Sequence, residues 1–360
     1  MKIWFRINGL EFCSWFIVWK HLMKAFKQIG ANPPRSPNPP TPNPPTPLVR
    51  GVRGVRGVDV YDSPFNAPKD VSEYVELHWG DPQFWQWSGK EVRLRAGIAL
   101  SEHRSILHPE KALLNLAKCQ VLICPCQSAA QAFYEAPLDI PIAIAPFGVD
   151  AEDMTYYQRD WDGVIKFLVI GVAQFRKGTW LAVEAFRQAF GDRDDVSLSV
   201  ASFMESPMYN QLKAEYEKVG NIKFYGKATD VKEYYHTHHV LVSPHLSEGW
   251  GLTIPEAMAT GMPCIVARCS APREYFLPDY GWWGEMSEDY APVDQCLPGV
   301  KGSWRLPSVE SLAEKMKYAV EHRQECQAKG KLASEYALYA LTWRQSANKI
   351  IDILEEYCGE

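Results

Sequence analysis

The chain has 360 residues, more than one ordinary domain needs and enough for two. Its hydrophobic fraction of 46% is that of a soluble globular protein, and its formal net charge of −5 excludes broad attraction to nucleic acid. Nine scattered cysteines, with one Cys124-Pro-Cys126 pair, form no zinc or disulfide framework and read as reduced thiols of a cytoplasmic chain.

The first predicted strand is Lys2–Ile7. "LEFCSWFIVW" (Leu10 to Trp19) follows; it is too short to span a bilayer, carries Glu11, and lacks the cleavage site of a signal peptide. It reads as the entry to a buried helix with apolar residues at helical spacing, ending near Gly30. "NPPRSPNPPTPNPPTP" (Asn32 to Pro47) and "LVRGVRGVRGV" (Leu48 to Val58) are foreign to this pattern. Proline fixes φ and donates no hydrogen bond, so residues 32–57 read as a disordered Pro-rich and VRG-rich insertion in an αβ loop. Without it, strand, helix and the strand Val58–Tyr61 form an ordinary βαβ unit. The alternative is a ligand for a proline-recognising domain.

Strands are then expected at Tyr74–His78, Val92–Ile98, Val121–Cys124 and Ile142–Ala145. In the second half they fall at Lys166–Val172, Val196–Ala201, Ile222–Tyr225, Val240–Ser243 and Cys264–Ala267. Ser206-Pro207 predicts a helix start that Gly220 closes, and Thr342-Trp-Arg-Gln345 predicts a capped final helix. Such alternation implies parallel sheets covered by helices on both faces. The domains are residues 1–150, a linker 151–163, a second domain 164–341, and a last helix 342–360.

"SEGWGLTIPEAMATGMPCIVA" (Ser247 to Ala267) carries the chemistry. A buried strand leads into a loop with Gly249 and Gly251, then into a helix for which Thr253 is the expected cap and Glu256 the N3 residue. Ligands of doubly wound sheets bind at the carboxyl ends of strands, and helix starts there suit phosphate. A capping box accounts for Glu256 alone, and a solvated loop acid for Glu248 alone. The equivalent loop after the strand at Lys166 carries Arg176 and Lys177, which alone read as a solvated basic turn and beside such a helix start suit phosphate. His236, His238 and His239 lack partner acids or cysteines in a zinc pattern, so no metal is expected.

Together, "EGWGLTIPEAMATGMPCIVA" closely resembles the glutamate-x7-glutamate signature of retaining nucleotide-sugar glycosyltransferases of the group 1, family 4 type. The resemblance covers about Val164 to Tyr357; over the amino-terminal half it is one of general architecture. It implies the α/β GT-B fold, two Rossmann-like doubly wound domains facing a cleft, with the first on the acceptor side and the last helix crossing back to it. It implies that Glu248 binds the donor sugar, that the backbone of Gly249, Trp250, Gly251 and Leu252 meets sugar and diphosphate, and that Glu256 binds ribose. Lys177-Gly178 matches the family's Lys-Gly element, whereas Val172 stands where a basic residue is usual and Arg176 substitutes for it. Gly226 would approach the base, Gly9 would face the diphosphate, and Glu274 would support the site. Cys269 and Ser270 replace a usual glycine pair. Glu102 and His103 are candidates for the acceptor side.

The implied reaction moves a hexosyl group from a UDP- or GDP-linked donor to a carbohydrate, lipid-linked or protein acceptor with retention, without a cofactor. Peripheral membrane association is compatible with it, and nucleic acid is not a partner. The rival readings are a non-catalytic nucleotide-sugar-binding or scaffold protein of the same fold, and an epimerase-like enzyme.

Overall fold

The computed structural model describes residues 1–7, 14–30, 59–62, 72–103 and 105–359. The Pro-rich and VRG segment and Gly9 lie outside the described residues.

The first half contains β1 (Lys2–Ile7), α1 (Ser14–Gly30), β2 (Asp59–Asp62), β3 (Tyr74–Trp79), β4 (Leu94–Ile98), α2 (Pro109–Leu116), β5 (Val121–Cys124), α3 (Gln127–Tyr134) and β6 (Ile142–Ile144). The six strands form one parallel sheet in the order β2-β1-β3-β4-β5-β6. Because side chains alternate across a strand, Ile3, Phe5, Val75, Leu77, Leu94 and Ala96 share one face. They bury it against Leu22 and Phe26 of α1 and against the last helix of the chain. The other face carries Arg6, Glu76 and His78, all buried, under the rings of Trp85 and Trp87.

The second half contains β7 (Ile165–Ile170), α4 (Thr179–Phe190), β8 (Val196–Ala201), α5 (Pro207–Tyr216), β9 (Ile222–Tyr225), α6 (Val231–Thr237), β10 (Val240–Ser243), α7 (Thr253–Ala259), β11 (Cys264–Ala267) and β12 (Gly281–Gly284). A hairpin of β13 (Met286–Pro292) and β14 (Ser303–Pro307) and the helices α8 (Val309–Glu321), α9 (Arg323–Ala340) and α10 (Trp343–Cys358) complete it. The parallel order is β12-β11-β10-β7-β8-β9, so the chain reverses direction across the sheet between β7 and β10. Crevices at such reversal points, beyond the carboxyl ends of the strands, are where doubly wound sheets bind ligands.

α10 returns to the first half. Thr342 caps it by accepting from Gln345 N–H at 3.3 Å. Trp343 then stacks on His21 of α1, ring centroids 5.7 Å apart, and Ile350 and Leu354 join the core of the first sheet. Ser206 caps α5 with Pro207 in its first turn, but the helix ends at Tyr216 in successive turns, before Gly220 is reached. The β7 strand stops at Ile170, because Gly171 adopts φ +137°. β12 and the β13–β14 hairpin had no strand signal: GWWG is short, and β13 is mostly exposed. Among the described residues, no helix is long and apolar enough to cross a membrane.

Candidate active site

A small pocket opens at the carboxyl ends of β7 and β10. It is lined by Gly171, Val172, Lys177, Thr179, Ser243, His245, Glu248 and Thr253. Two loops build it. In the first, Phe175–Lys177 forms one tight turn that ends in Gly178 at φ +64°. A Cβ on Gly178 would lie 1.9 Å from the Pro244 carbonyl oxygen, so only glycine lets this turn press on the second loop and place Lys177.

Glu248 leads the second loop. Its side chain is 6% exposed; it is bonded to Lys177, and Arg176 Nη1 lies 3.2 Å from Oε2. Burial opposes its ionisation, but Lys177, Arg176 and their hydrogen bonds outweigh it and hold the carboxyl at about 2. Arg176 also donates to the Ser247 carbonyl at 2.5 Å, and its Nη2 lies 2.9 Å from Glu102 Oε2 on the loop after β4. Arg176 thus joins the two halves of the molecule.

The glycine loop also presses on the first half. A Cβ on Gly249 would lie 2.4 Å from Leu100 Cδ1. The loop therefore packs closely on Leu100 of the first half. Ser247 Oγ donates to the Glu102 carbonyl at 2.5 Å. Trp250 is buried and packs on Tyr275, whose hydroxyl donates to the carbonyls of Trp250 and Gly251 at 2.8 and 3.3 Å. Ile254 N–H already bonds the Gly251 carbonyl, so the turn is wound before Thr253. Leu252, in helical conformation, takes the cap position without a side-chain bond, and Thr253 is the first helical residue, not the cap. Glu256 is no capping-box acid either. Its Oε2 accepts from the buried Tyr235 hydroxyl at 2.8 Å. Burial, with no cation bonded to it, raises its carboxyl to about 7 against the help of that hydroxyl.

Other predicted residues fall further off. Gly226 follows β9, and a Cβ there would meet Glu205 and Tyr209; it is outside the pocket. His103 is half-buried beside Ser105, with Nδ1 3.0 Å from that residue's carbonyl, and burial lowers its pKa. Glu274 accepts from the N–H groups of Gln127 and Ser128 at 2.9 and 2.7 Å, capping α3 across the cleft. His238 and His239 are spent on backbone groups: His238 Nδ1 lies 2.8 Å from the Tyr234 carbonyl, and His239 Nε2 lies 2.7 Å from that of Asp160. No group of three His, Cys, Asp or Glu among the described residues could hold a metal ion.

Sequence reasoning missed three residues around the site. His245 is buried beside Glu248, with Nδ1 3.1 Å from the Ser243 carbonyl, and burial pushes it down to about 4; its position just past a strand end was the available signal. Tyr235, which holds Glu256, gave none. Arg159 lies in the stretch read as a polar linker, yet it is buried. It donates to the carbonyls of Tyr235, His238 and Thr260 at 2.6, 2.8 and 2.7 Å, tying the ends of α6 and α7 together. Ser270 adopts φ +48° and accepts from Glu248 N–H at 2.8 Å. Backbone strain of order 1–3 kcal/mol is thus exchanged for a hydrogen bond that fixes Glu248.

Residues 161–334 match the family described as Glycosyl transferases group 1. Over 151 residues the chain is 30% identical to the lipopolysaccharide core biosynthesis mannosyltransferase LpsB of Rhizobium meliloti (strain 1021), spanning 38% of this chain and 43% of that one. The structure is similar to HepE of Anabaena, solved in complex with UDP and glucose, with TM-score 0.66 at 13% identity, covering 99% of this chain and 100% of the other. It is also similar to TarM, with TM-score 0.63 at 14% identity, covering 81% of this chain and 56% of TarM. The chain thus spans about half the length of LpsB and of TarM. Two parallel sheets and these structural likenesses make this a chain of GT-B fold, and its residues 161–334 match the group 1 glycosyl transferases.

Proposed function

We propose that the protein transfers a hexosyl group from a nucleotide-diphosphate sugar, UDP- or GDP-linked, to a hydroxyl of a carbohydrate, lipid-linked or protein acceptor, with retention of configuration. One observation carries this reading. A buried, ionised Glu248 shares the wall of a strand-end pocket with Lys177, and Glu256 stands one helical turn into α7. A carboxylate accepts sugar hydroxyls, and a lysine beside it suits a departing phosphate.

In this reading Lys177 and Arg176 stabilise the charge that gathers on the leaving diphosphate as the sugar acquires oxocarbenium character. Glu248 orients the sugar through its hydroxyls, and Glu256 takes the ribose hydroxyls with the oxygen that Tyr235 leaves free. The acceptor hydroxyl attacks on the face the phosphate leaves, and the phosphate takes its proton, so no protein nucleophile is required.

Purified protein incubated with a panel of nucleotide sugars tests this. Release of one nucleoside diphosphate, with the product's anomeric configuration read by NMR, is the expected result. Binding of a nucleotide sugar without turnover would replace it with a binding-protein reading.

A further inference from the structure

The side-chain charges beside the pocket already balance. Arg176 and Lys177 are matched by Glu248 and Glu102 in one connected set of contacts. A diphosphate entering this set adds negative charge to a poorly hydrated space, where like charges repel strongly.

The two carboxylates differ in how firmly they are held. Glu248 is 6% exposed, engages both cations, and has its backbone N–H fixed by Ser270. The Glu102 side chain is 33% exposed, belongs to the other half of the molecule, and meets Arg176 at 2.9 Å. Its carbonyl is pinned by Ser247 Oγ, so the main chain stays docked while the side chain can turn outward to water.

We propose that Glu102 is a displaceable counter-ion that sets donor affinity: it neutralises Arg176 in the empty cleft and yields the guanidinium to the diphosphate of the donor. This rests on the nucleotide-sugar reading above. It gives a residue of the acceptor-side domain a hold on donor binding, and it predicts an effect of unusual sign. Removing an acid at the site tightens binding.

The test is calorimetry of wild type and Glu102→Gln with UDP, GDP and ADP, and with the uncharged nucleosides uridine, guanosine and adenosine. Glu102→Gln should bind the preferred diphosphate roughly twofold to fivefold tighter, the worth of one partly exposed ion pair. Nucleoside affinity should not change, and the gain should vanish in an Arg176→Met background. If Arg176→Met does not fold, Glu102→Ala should reproduce the gain. Equal or weaker diphosphate binding by Glu102→Gln overturns the inference alone. So does a gain shared by the nucleosides, or one that survives Arg176→Met. Should neither wild type nor Glu102→Gln bind any of the three diphosphates, the nucleotide-sugar reading falls and takes this inference with it.

Discussion

The two halves of the molecule each bury a glutamate among cations, and the two glutamates have little else in common. Glu76 sits in the middle of β3, fully buried. It accepts from Arg6 Nη1 at 2.5 Å, from Ser88 N–H at 2.9 Å and from Ser88 Oγ at 3.0 Å. Burial opposes its charge, yet His78 and Arg6 hold it at about 2. Glu248 is held at about 2 by similar chemistry, but it stands past the end of β10, on the wall of a pocket. Glu76 meets its partners within the fold, under the Trp85 loop; Glu248 lines a small pocket at the strand ends. A perturbed carboxylate marks a functional site only where the topology leaves an opening beside it.

Breaking the first cluster should produce the largest effect. Glu76→Ala leaves Arg6 buried without its carboxylate and should cost about 3–5 kcal/mol of stability, read by denaturant unfolding, with nucleotide affinity of the remaining folded protein unchanged. The wild-type carboxylate is ionised down to about 2 when folded, and only above roughly 4.3 when unfolded. Its contribution is therefore complete above that higher value and lost as pH falls toward 2, and Glu76→Ala should flatten that acid limb. Equal nucleotide loss in Glu76→Ala and Glu248→Gln would erase the contrast.

Glu248→Gln should do the reverse. It should lower sugar transfer by about 100-fold, near 2.7 kcal/mol, with a smaller loss of stability, because Lys177 is 29% exposed and can turn to water. Steady-state kinetics and a thermal melt on the same preparation separate the two losses.

Glu256 sharpens the contrast from the other side, since burial raises its carboxyl to about 7. If Glu256 holds the ribose as proposed, its ionised form accepts both hydroxyls, so nucleotide affinity should rise between pH 6 and 8. Glu256→Gln should bind about tenfold more weakly at pH 8 and lose that slope. Affinity that stays level with pH in the wild type would remove Glu256 from the ribose. The smallest effect is expected from deleting residues 32–57. That would leave a two-residue connection between α1 and β2, an ordinary αβ loop length, and the melting temperature and nucleotide affinity should both hold.

Much of the second half was legible. Val196–Ala201, Ile222–Tyr225, Val240–Ser243 and Cys264–Ala267 are short apolar runs between turn residues, and all four are strands at those bounds. Ser206 and Thr342 announce their helices because a cap is a local hydrogen bond. Thr253 misled for the same reason turned round: a distant hydroxyl, Tyr275, fixes the loop and the helix starts a residue early. Arg159, polar in sequence, is buried because three helix-end carbonyls far along the chain converge on it.

The sequence alone determined the alternation of strand and helix, the loop that bears Glu248, and the basic turn at Arg176 and Lys177, since periodicity, turn chemistry and spacing are properties of neighbours along the chain. Only the tertiary structure decided which charges meet. It joined Arg176 to Glu102 across the cleft, Tyr235 to Glu256, and Glu274 to the start of α3. Those pairings lie from 21 to 147 residues apart, and the burial that raises the Glu256 carboxyl exists only once distant segments have packed around it.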